Sequence, residues 1–184
     1  MRVAAIVPSA GSGVRLKSKT QKPYIKLGGK PILARTLMAL SENKDITEIW
    51  VAVGKDKLVK ARREIIEKYK IKKTRLVPGG RERGDSVYNA LRAVSKGVDY
   101  VLIHDGIRPF IKGRLIDAVL KEAYRFGAAI LAVPVKPTLK IVGKRGFINN
   151  TPDRKCFWEA QTPQVFKKDL ILKAYQRFSN TDAT

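Results

Sequence analysis

Short runs of apolar residues alternate with segments of helical periodicity along most of the chain. The apolar runs predict buried strands at residues 3–8, 49–53, 74–77, 100–104 and 128–133. Apolar side chains at helical spacing predict helices at residues 32–40, 56–70, 86–94 and 115–126. Asp85 or Ser86 is the expected N-cap of the third helix, and Gly127 is expected to end the fourth. This alternation indicates an α/β fold, a Rossmann-like and mostly parallel sheet flanked by helices.

The pattern changes after Pro134. Residues 139–142 and 147–149 flank a glycine-bracketed basic turn, which predicts a β-hairpin. A hairpin of this kind is hard to bury within one small domain, so we expect a protruding β-arm at about residues 137–155. Residues 161–166 return the chain to the domain, and residues 169–178 predict a final amphipathic helix. A length of 184 residues fits a single domain that includes the arm.

Composition limits where in the cell the protein is expected to function. No apolar stretch is long enough to span a bilayer, and the first apolar run is too short for a signal-peptide core. The single cysteine, Cys156, excludes an internal disulfide framework. We therefore expect a cytoplasmic protein that does not engage a membrane.

The charge balance is unusual. There are 38 Lys and Arg residues against 16 Asp and Glu residues, a formal net charge of +22. Such an excess suits nucleic acid, an anionic membrane or a polyanionic small substrate. The basic residues are spread along the whole chain, and the aromatic residues do not interleave with them as stacking platforms would. We favour a generally basic surface over nucleic-acid binding.

Polar segments follow several of the predicted strands, at residues 9–22, 79–86 and 105–108. Ligands of parallel sheets bind at the carboxyl ends of the strands, so these segments are expected to form one site. In the first, Gly11 and Gly13 allow backbone N–H groups to approach phosphate oxygens. Arg15 and Lys22 add fixed cations, which can neutralise charge that develops on phosphorus. A plain tight turn with solvated surface charges is the alternative for this segment.

The other two segments also allow two interpretations. Ser86 can cap a helix or contact a ligand, and Gly80 permits close backbone approach. Asp105 is well placed to hold Mg²⁺ through carboxylate oxygens, or it pairs with Arg108 and only braces the loop. The sole histidine, His104, cannot build a zinc site, and we expect it to be a structural hydrogen-bonding residue.

Several motifs, in one order along the chain, closely resemble those of the 2-C-methyl-D-erythritol 4-phosphate cytidylyltransferase family. They span nearly the whole chain: Pro8-Ser9-Ala10-Gly11-Ser12-Gly13 with Arg15 and Lys22-Pro23-Tyr24; Gly79-Gly80 with Arg83 and Asp85-Ser86-Val87; His104-Asp105-Gly106 with Arg108-Pro109; Pro134-Val135 with Thr138 and Asp153-Arg154; and Gln161-Thr162-Pro163-Gln164 with Phe166.

The resemblance implies transfer of CMP from CTP to 2-C-methyl-D-erythritol 4-phosphate, with release of pyrophosphate, in the non-mevalonate synthesis of isoprenoid precursors. It implies Arg15 and Lys22 as catalytic residues. Nucleotide-binding residues would be Ser9, Ala10, Gly11, Ser12, Gly13, Gly80, Arg83 and Ser86. Acceptor-binding residues would be Asp105, Arg108, Thr138 and Arg154. Asp105 would also hold Mg²⁺, and the β-arm would insert into a second subunit, so that Thr138 and Arg154 act across a homodimer.

The chain departs from the family pattern at a few positions. Pro8 and Ser9 stand where small apolar residues are usual, and Arg81 stands where an acidic residue is common. The family usually continues with a strand and a helix that carry a further phosphate-contacting lysine, so we expect a weakened enzyme. The alternatives are a ribitol-5-phosphate cytidylyltransferase, a truncated CTP-binding relative with little activity and, more remotely, a basic nucleic-acid-binding protein.

Overall fold

The computed structural model describes residues 1–11 and 21–181 of the chain, with side chains up to residue 177. The strands are β1 (Val3–Pro8), β2 (Lys26–Leu27), β3 (Lys30–Pro31), β4 (Ile46–Val53), β5 (Thr74–Pro78), β6 (Tyr100–Ile103), β7 (Ala128–Pro134), β8 (Ile141–Val142), β9 (Ile148–Asn150) and β10 (Trp158–Lys167). The α-helices are α1 (Ile32–Ser41), α2 (Leu58–Ala61), α3 (Arg83–Ala93), α4 (Gly113–Phe126) and α5 (Lys168–Thr181).

The main sheet has six strands in the order β5-β4-β1-β6-β10-β7. Strands β5, β4, β1 and β6 pair in parallel, whereas β10 is antiparallel to both β6 and β7. The predicted α/β class with a mostly parallel sheet is therefore confirmed. The segment expected only to return the chain to the domain is an antiparallel strand that lies inside the sheet.

Both faces of the sheet are covered. Alternate residues of β1 face opposite layers, and its apolar residues are fully buried, as expected for a strand between two helical layers. On one side Val3, Ala5 and Val7 share a core with α1 and α4. On the other side Ala4 and Ile6 share a core with α3 and α5. The rigid central strand thus carries the first polar loop.

The predicted N-cap of α3 is wrong. The helix begins at Arg83, and Glu82 is its N-cap. Asp85 lies inside the first turn, where its carboxylate accepts a hydrogen bond from the Glu82 N–H at 3.0 Å. Ser86 is also inside the helix. Its hydroxyl connects the preceding turn to the helix.

The long helix predicted at residues 56–70 is divided. A 3₁₀ turn at Lys55–Lys57 precedes α2, and a π-helical turn at Arg62–Glu67 follows it. The apolar face is present as predicted, since Ala61 and Ile65 are both buried. The fourth helix ends as predicted at Gly127, which has a φ of 81°.

Strands β8 and β9 pair in an antiparallel hairpin, as predicted for the arm. Its apolar side chains are exposed: Ile141, Val142, Phe147 and Ile148. No helix within the described part of the chain is long and apolar enough to cross a membrane.

Candidate functional site

A cleft of about 670 Å³ opens at the carboxyl ends of β1, β5 and β6. The predicted polar segments all contribute to its lining, which consists of Pro8, Ser9, Ala10, Gly11, Lys22, Pro23, Gly80, Arg81, Glu82, Arg83, Ser86, Asp105 and Ile107. Residues that are up to about a hundred positions apart in the chain thus meet in one cavity. Their convergence follows from the parallel sheet, because the carboxyl ends of its strands share one edge.

Glycines allow the loops to pack this closely. A Cβ on Gly106 would lie 2.0 Å from Ser9 Oγ, and a Cβ on Gly79 would lie 2.2 Å from the Cβ of Ala10. Both distances are shorter than any side chain could tolerate, so these positions require glycine. Ser9 and Ala10 are therefore held between the loops that follow β5 and β6.

The turn before α3 presents its backbone to the cleft. The Gly80 N–H donates to Ser86 Oγ at 3.0 Å, and the Ser86 hydroxyl donates to the Glu82 carbonyl at 3.0 Å. Ser86 is 2% exposed, and these two hydrogen bonds use its hydroxyl hydrogen and one lone pair of its oxygen. Ser86 is therefore not the cap of the helix, although it stabilises the turn before it, and its predicted contact with a ligand stays a prediction.

Asp105 joins two arginines across the cleft. Arg83 Nε and Nη2 donate to Asp105 Oδ1 at 3.2 and 3.0 Å, and Arg108 Nε donates to Oδ2 at 3.0 Å. The guanidinium of Arg108 also donates to Gln161 Oε1. The arginines are about half exposed, so solvent weakens each ion pair. Together they orient the carboxylate, and of the two only Arg83 lines the cleft.

The carboxylate of Asp105 can accept a magnesium ion. Its Oδ1 accepts two hydrogen bonds and its Oδ2 one, so a lone pair of Oδ2 remains. Mg²⁺ in nucleotide sites binds one or two carboxylates and otherwise waters and phosphate oxygens. Among the described residues no group of three His, Cys, Asp or Glu side chains could form a protein-only metal cage. The donors present fit an ion that is shared with a bound triphosphate.

His104 is buried directly behind Asp105. Its Nε2 lies 3.1 Å from the Arg108 carbonyl oxygen, and its Nδ1 lies 3.0 Å from Thr162 Oγ1. Burial lowers the pKa of His104 below its usual value, which favours the neutral ring. The ring is 1% exposed and does not line the cleft, consistent with the structural role expected from the sequence.

The remaining predicted site residues fall into two groups. Arg15, Ser12 and Gly13 are outside the described residues. Thr138 and Arg154 lie on the exposed arm and do not line this cleft, and Arg154 Nη1 donates to the Lys136 carbonyl at 2.8 Å. Their expected place in a partner's cleft stays a prediction.

Sequence reasoning missed Gln161 and Thr162 as members of the site. Both belong to a motif that was noted without a role, and β10 carries them to the loop after β6. The motif itself was the available signal, but its target depends on the register between β10 and β6.

The family model of 2-C-methyl-D-erythritol 4-phosphate cytidylyltransferase (IspD) matches residues 3–184. The chain belongs to this family. It is therefore a nucleotidyltransferase, as the motifs predicted.

Relatives of the IspD family support this assignment across the chain. The cytidylyltransferase of Syntrophus aciditrophicus is 43% identical over 182 residues, which cover 98% of this chain and 78% of the relative. That of Clostridioides difficile is 42% identical over 174 residues, which cover 95% of this chain and 73% of the relative. The crystal structure of 4-diphosphocytidyl-2C-methyl-D-erythritol synthase from Anaerococcus prevotii has a TM-score of 0.85 and 34% identity, covering 97% of this chain and 75% of that one.

Proposed function

We propose that the cleft transfers CMP from CTP to 2-C-methyl-D-erythritol 4-phosphate and releases pyrophosphate, a step in isoprenoid precursor synthesis. The observation that supports this most is that Gly11, Lys22 and Asp105 line one cavity of an IspD-family chain. Arg83 lines the same cavity, and Arg108 pairs with Asp105. Backbone amides and cations of this kind suit a triphosphate and a second phosphate at the same time.

The reaction needs no protein nucleophile. A phosphate oxygen of the acceptor attacks the α-phosphorus of CTP, a new P–O bond forms, and the bond to the bridging oxygen breaks so that pyrophosphate leaves. The protein contributes position and charge. Lys22 would neutralise the negative charge that grows at the α-phosphate, with Arg15 as its predicted partner, while Gly11 and Gly80 offer backbone at the cleft surface.

Asp105 would hold Mg²⁺ through the free lone pair of Oδ2. The ion, when bound, would offset negative charge on the triphosphate. The two arginines hold the carboxylate through hydrogen bonds, so that a ligand for the ion is available at the cleft without movement of the loop.

The acceptor phosphate would meet Arg108 from the same chain and Thr138 and Arg154 from a second copy. The exposed apolar side chains of the arm support this arrangement, because Phe147 and Ile148 are 72% and 61% exposed. Docking of the arm on a partner would cover them. The homodimer, the cytoplasmic location and the absence of a nucleic-acid partner stay predictions.

The test is pyrophosphate release from CTP in the presence of Mg²⁺, with 2-C-methyl-D-erythritol 4-phosphate, with ribitol 5-phosphate, and without acceptor. Turnover that depends on the first acceptor supports the proposal. Turnover with ribitol 5-phosphate alone would identify the alternative acceptor class. CTP binding without turnover would indicate a nucleotide-binding relative that is not an active enzyme.

A further inference from the structure

Both nitrogens of the buried His104 ring have a partner. The Arg108 carbonyl oxygen lies 3.1 Å from Nε2, and the Thr162 hydroxyl lies 3.0 Å from Nδ1. The same hydroxyl lies 3.3 Å from the backbone nitrogen of Asp105. These contacts connect the end of β6, the loop that follows it and strand β10.

Donor and acceptor chemistry, together with the burial of the ring, indicates where the ring hydrogen lies. A carbonyl oxygen only accepts, so Nε2 must carry the hydrogen. The Asp105 N–H only donates, so Thr162 Oγ1 accepts from it and has its own hydrogen left to give to Nδ1. Because burial of the ring favours its neutral form, Nδ1 then lacks a hydrogen and accepts from Thr162. In this arrangement every donor has one acceptor, and the ring is the neutral Nε2–H tautomer.

We propose that His104, as this single tautomer, is a positioning residue that sets where Asp105, in the cleft, and its partner Arg108 stand. The inference rests on the proposed function. It adds a residue that touches neither substrate and acts through the two side chains on either end of the loop.

The geometry explains why the ring controls side chains that it does not contact. It holds the backbone of Arg108 directly and the backbone of Asp105 through Thr162. The ion pair between Asp105 and Arg108 then closes the loop on itself. Thr36 Oγ1 donates to the Gly106 carbonyl at 3.0 Å and anchors the middle. Without the ring, each end of the loop would lose one backbone anchor, and the Asp105 and Arg108 side chains would be held less firmly.

The tautomer can be tested without any activity measurement. His104 is the only histidine of the 184 residues, so nitrogen NMR of the ring-labelled full chain contains one imidazole. We expect a protonated Nε2 and an unprotonated Nδ1 at neutral pH, each with its own resonance. A protonated Nδ1, or two resonances averaged by tautomer exchange, would overturn the proposal.

The positioning role can be tested with two variants that each keep one contact. His104→Gln keeps a donor near the position of Nε2, and His104→Asn keeps an acceptor near that of Nδ1. Because displacement of a binding group by about 1 Å costs up to roughly a hundredfold, we expect the KM for the acceptor to rise by about tenfold or more in both. The KM for CTP should rise less, because Gly11, Lys22 and Gly80 would still line the cleft when Asp105 shifts.

The control variant should be destabilised by a change in the same sheet at a position away from the cleft. Glu48→Ala removes a buried partner of Ser95, far from the cleft, and should lower stability with both KM values unchanged. Wild-type-like acceptor KM in both folded His104 variants would contradict positioning. Absence of wild-type turnover would instead contradict the proposed function, and the NMR result would still decide the tautomer.

Discussion

At the scale of single residues, the cleft depends on space as much as on charge. Gly106 faces Ser9, Leu33 and Val7, all close to where a side chain would begin. Lys22 lines the same cavity as the only cation that the sequence assigned to catalysis within the described residues. Substitution of Gly106 is therefore expected to affect stability, and substitution of Lys22 is expected to affect the reaction rate.

Gly106→Ala should lower the stability and close the cleft. The added methyl group would lie 2.0 Å from Ser9 Oγ and 3.0 Å from Leu33, so the surrounding side chains must shift. Overpacking of this kind costs about 1–3 kcal/mol, measured as the free energy of unfolding in urea. Gly113→Ala is the matched control, because nothing lies within 4 Å of its added Cβ, and its stability should stay within about 1 kcal/mol of wild type.

Lys22→Ala should lower kcat by roughly 10²–10³-fold with little change in stability. The expected reason is the loss of a charge that interacts with the transition state more strongly than with bound CTP. Steady-state pyrophosphate release checks this. Lys26→Ala, an exposed lysine outside the cleft lining, should retain wild-type rates. Equal rates for both variants would remove Lys22 from the mechanism.

At the scale of elements, a buried carboxylate ties β4 to the end of α3. Glu48 accepts from the Ser95 N–H at 2.9 Å and from the Ser95 hydroxyl at 2.7 Å, and Arg75 lies 3.8 Å away. Burial would raise the pKa of Glu48, but these hydrogen bonds and the arginine outweigh it, so its pKa is below the usual value. The ionised form is thus the one that the fold stabilises.

This lowered pKa predicts a loss of stability in acid. The unfolded chain binds the Glu48 proton at a higher pH than the folded chain, so unfolding takes up a proton and becomes easier as the pH falls through that interval. Glu48→Gln cannot titrate. The difference in unfolding free energy between wild type and this variant should be largest near about pH 7 and shrink toward about pH 3.

Urea unfolding across that pH range measures the difference. Glu42→Gln, at an exposed position, serves as the control and should track the wild type at every pH. A constant gap between the wild type and Glu48→Gln would mean that Glu48 is not held in its ionised form.

At the scale of the whole molecule, one chain presents a cleft and an arm that do not meet. Lys22 lines the cleft, whereas Arg154 lies on the arm, where its Nη1 donates to the Lys136 carbonyl. If the arm completes a partner's site, each active site takes residues from two chains.

Subunit complementation tests this arrangement. Lys22→Ala and Arg154→Ala should each be nearly inactive alone. In mixed dimers one site combines both defects and the other is wild type, so equal mixing should restore about a quarter of wild-type activity after subunit exchange. No recovery, in a mixture shown to contain mixed dimers, would place Arg154 in the site of its own chain or outside the reaction.

Much of the fold could be read from the sequence because its signals are local. The run at β1 is apolar at successive positions, as expected for a strand covered on both sides, and Gly127 marks a helix end that needs a positive φ. The prediction of the α3 N-cap was wrong because Glu82, Asp85 and Ser86 can all serve as a cap. Only the position of the preceding turn decides among them.

The sequence alone determined that strands alternate with helices and that glycine-rich and charged loops follow particular strands, since apolar spacing and loop composition are properties of neighbouring residues. The meeting of those loops then followed from the common edge of a parallel sheet. Only the tertiary structure decided that β10 enters the sheet antiparallel and brings Thr162 to His104, and that Arg83 pairs with Asp105. These contacts join residues 22 to 58 positions apart, and they depend on strand register, which no local pattern encodes.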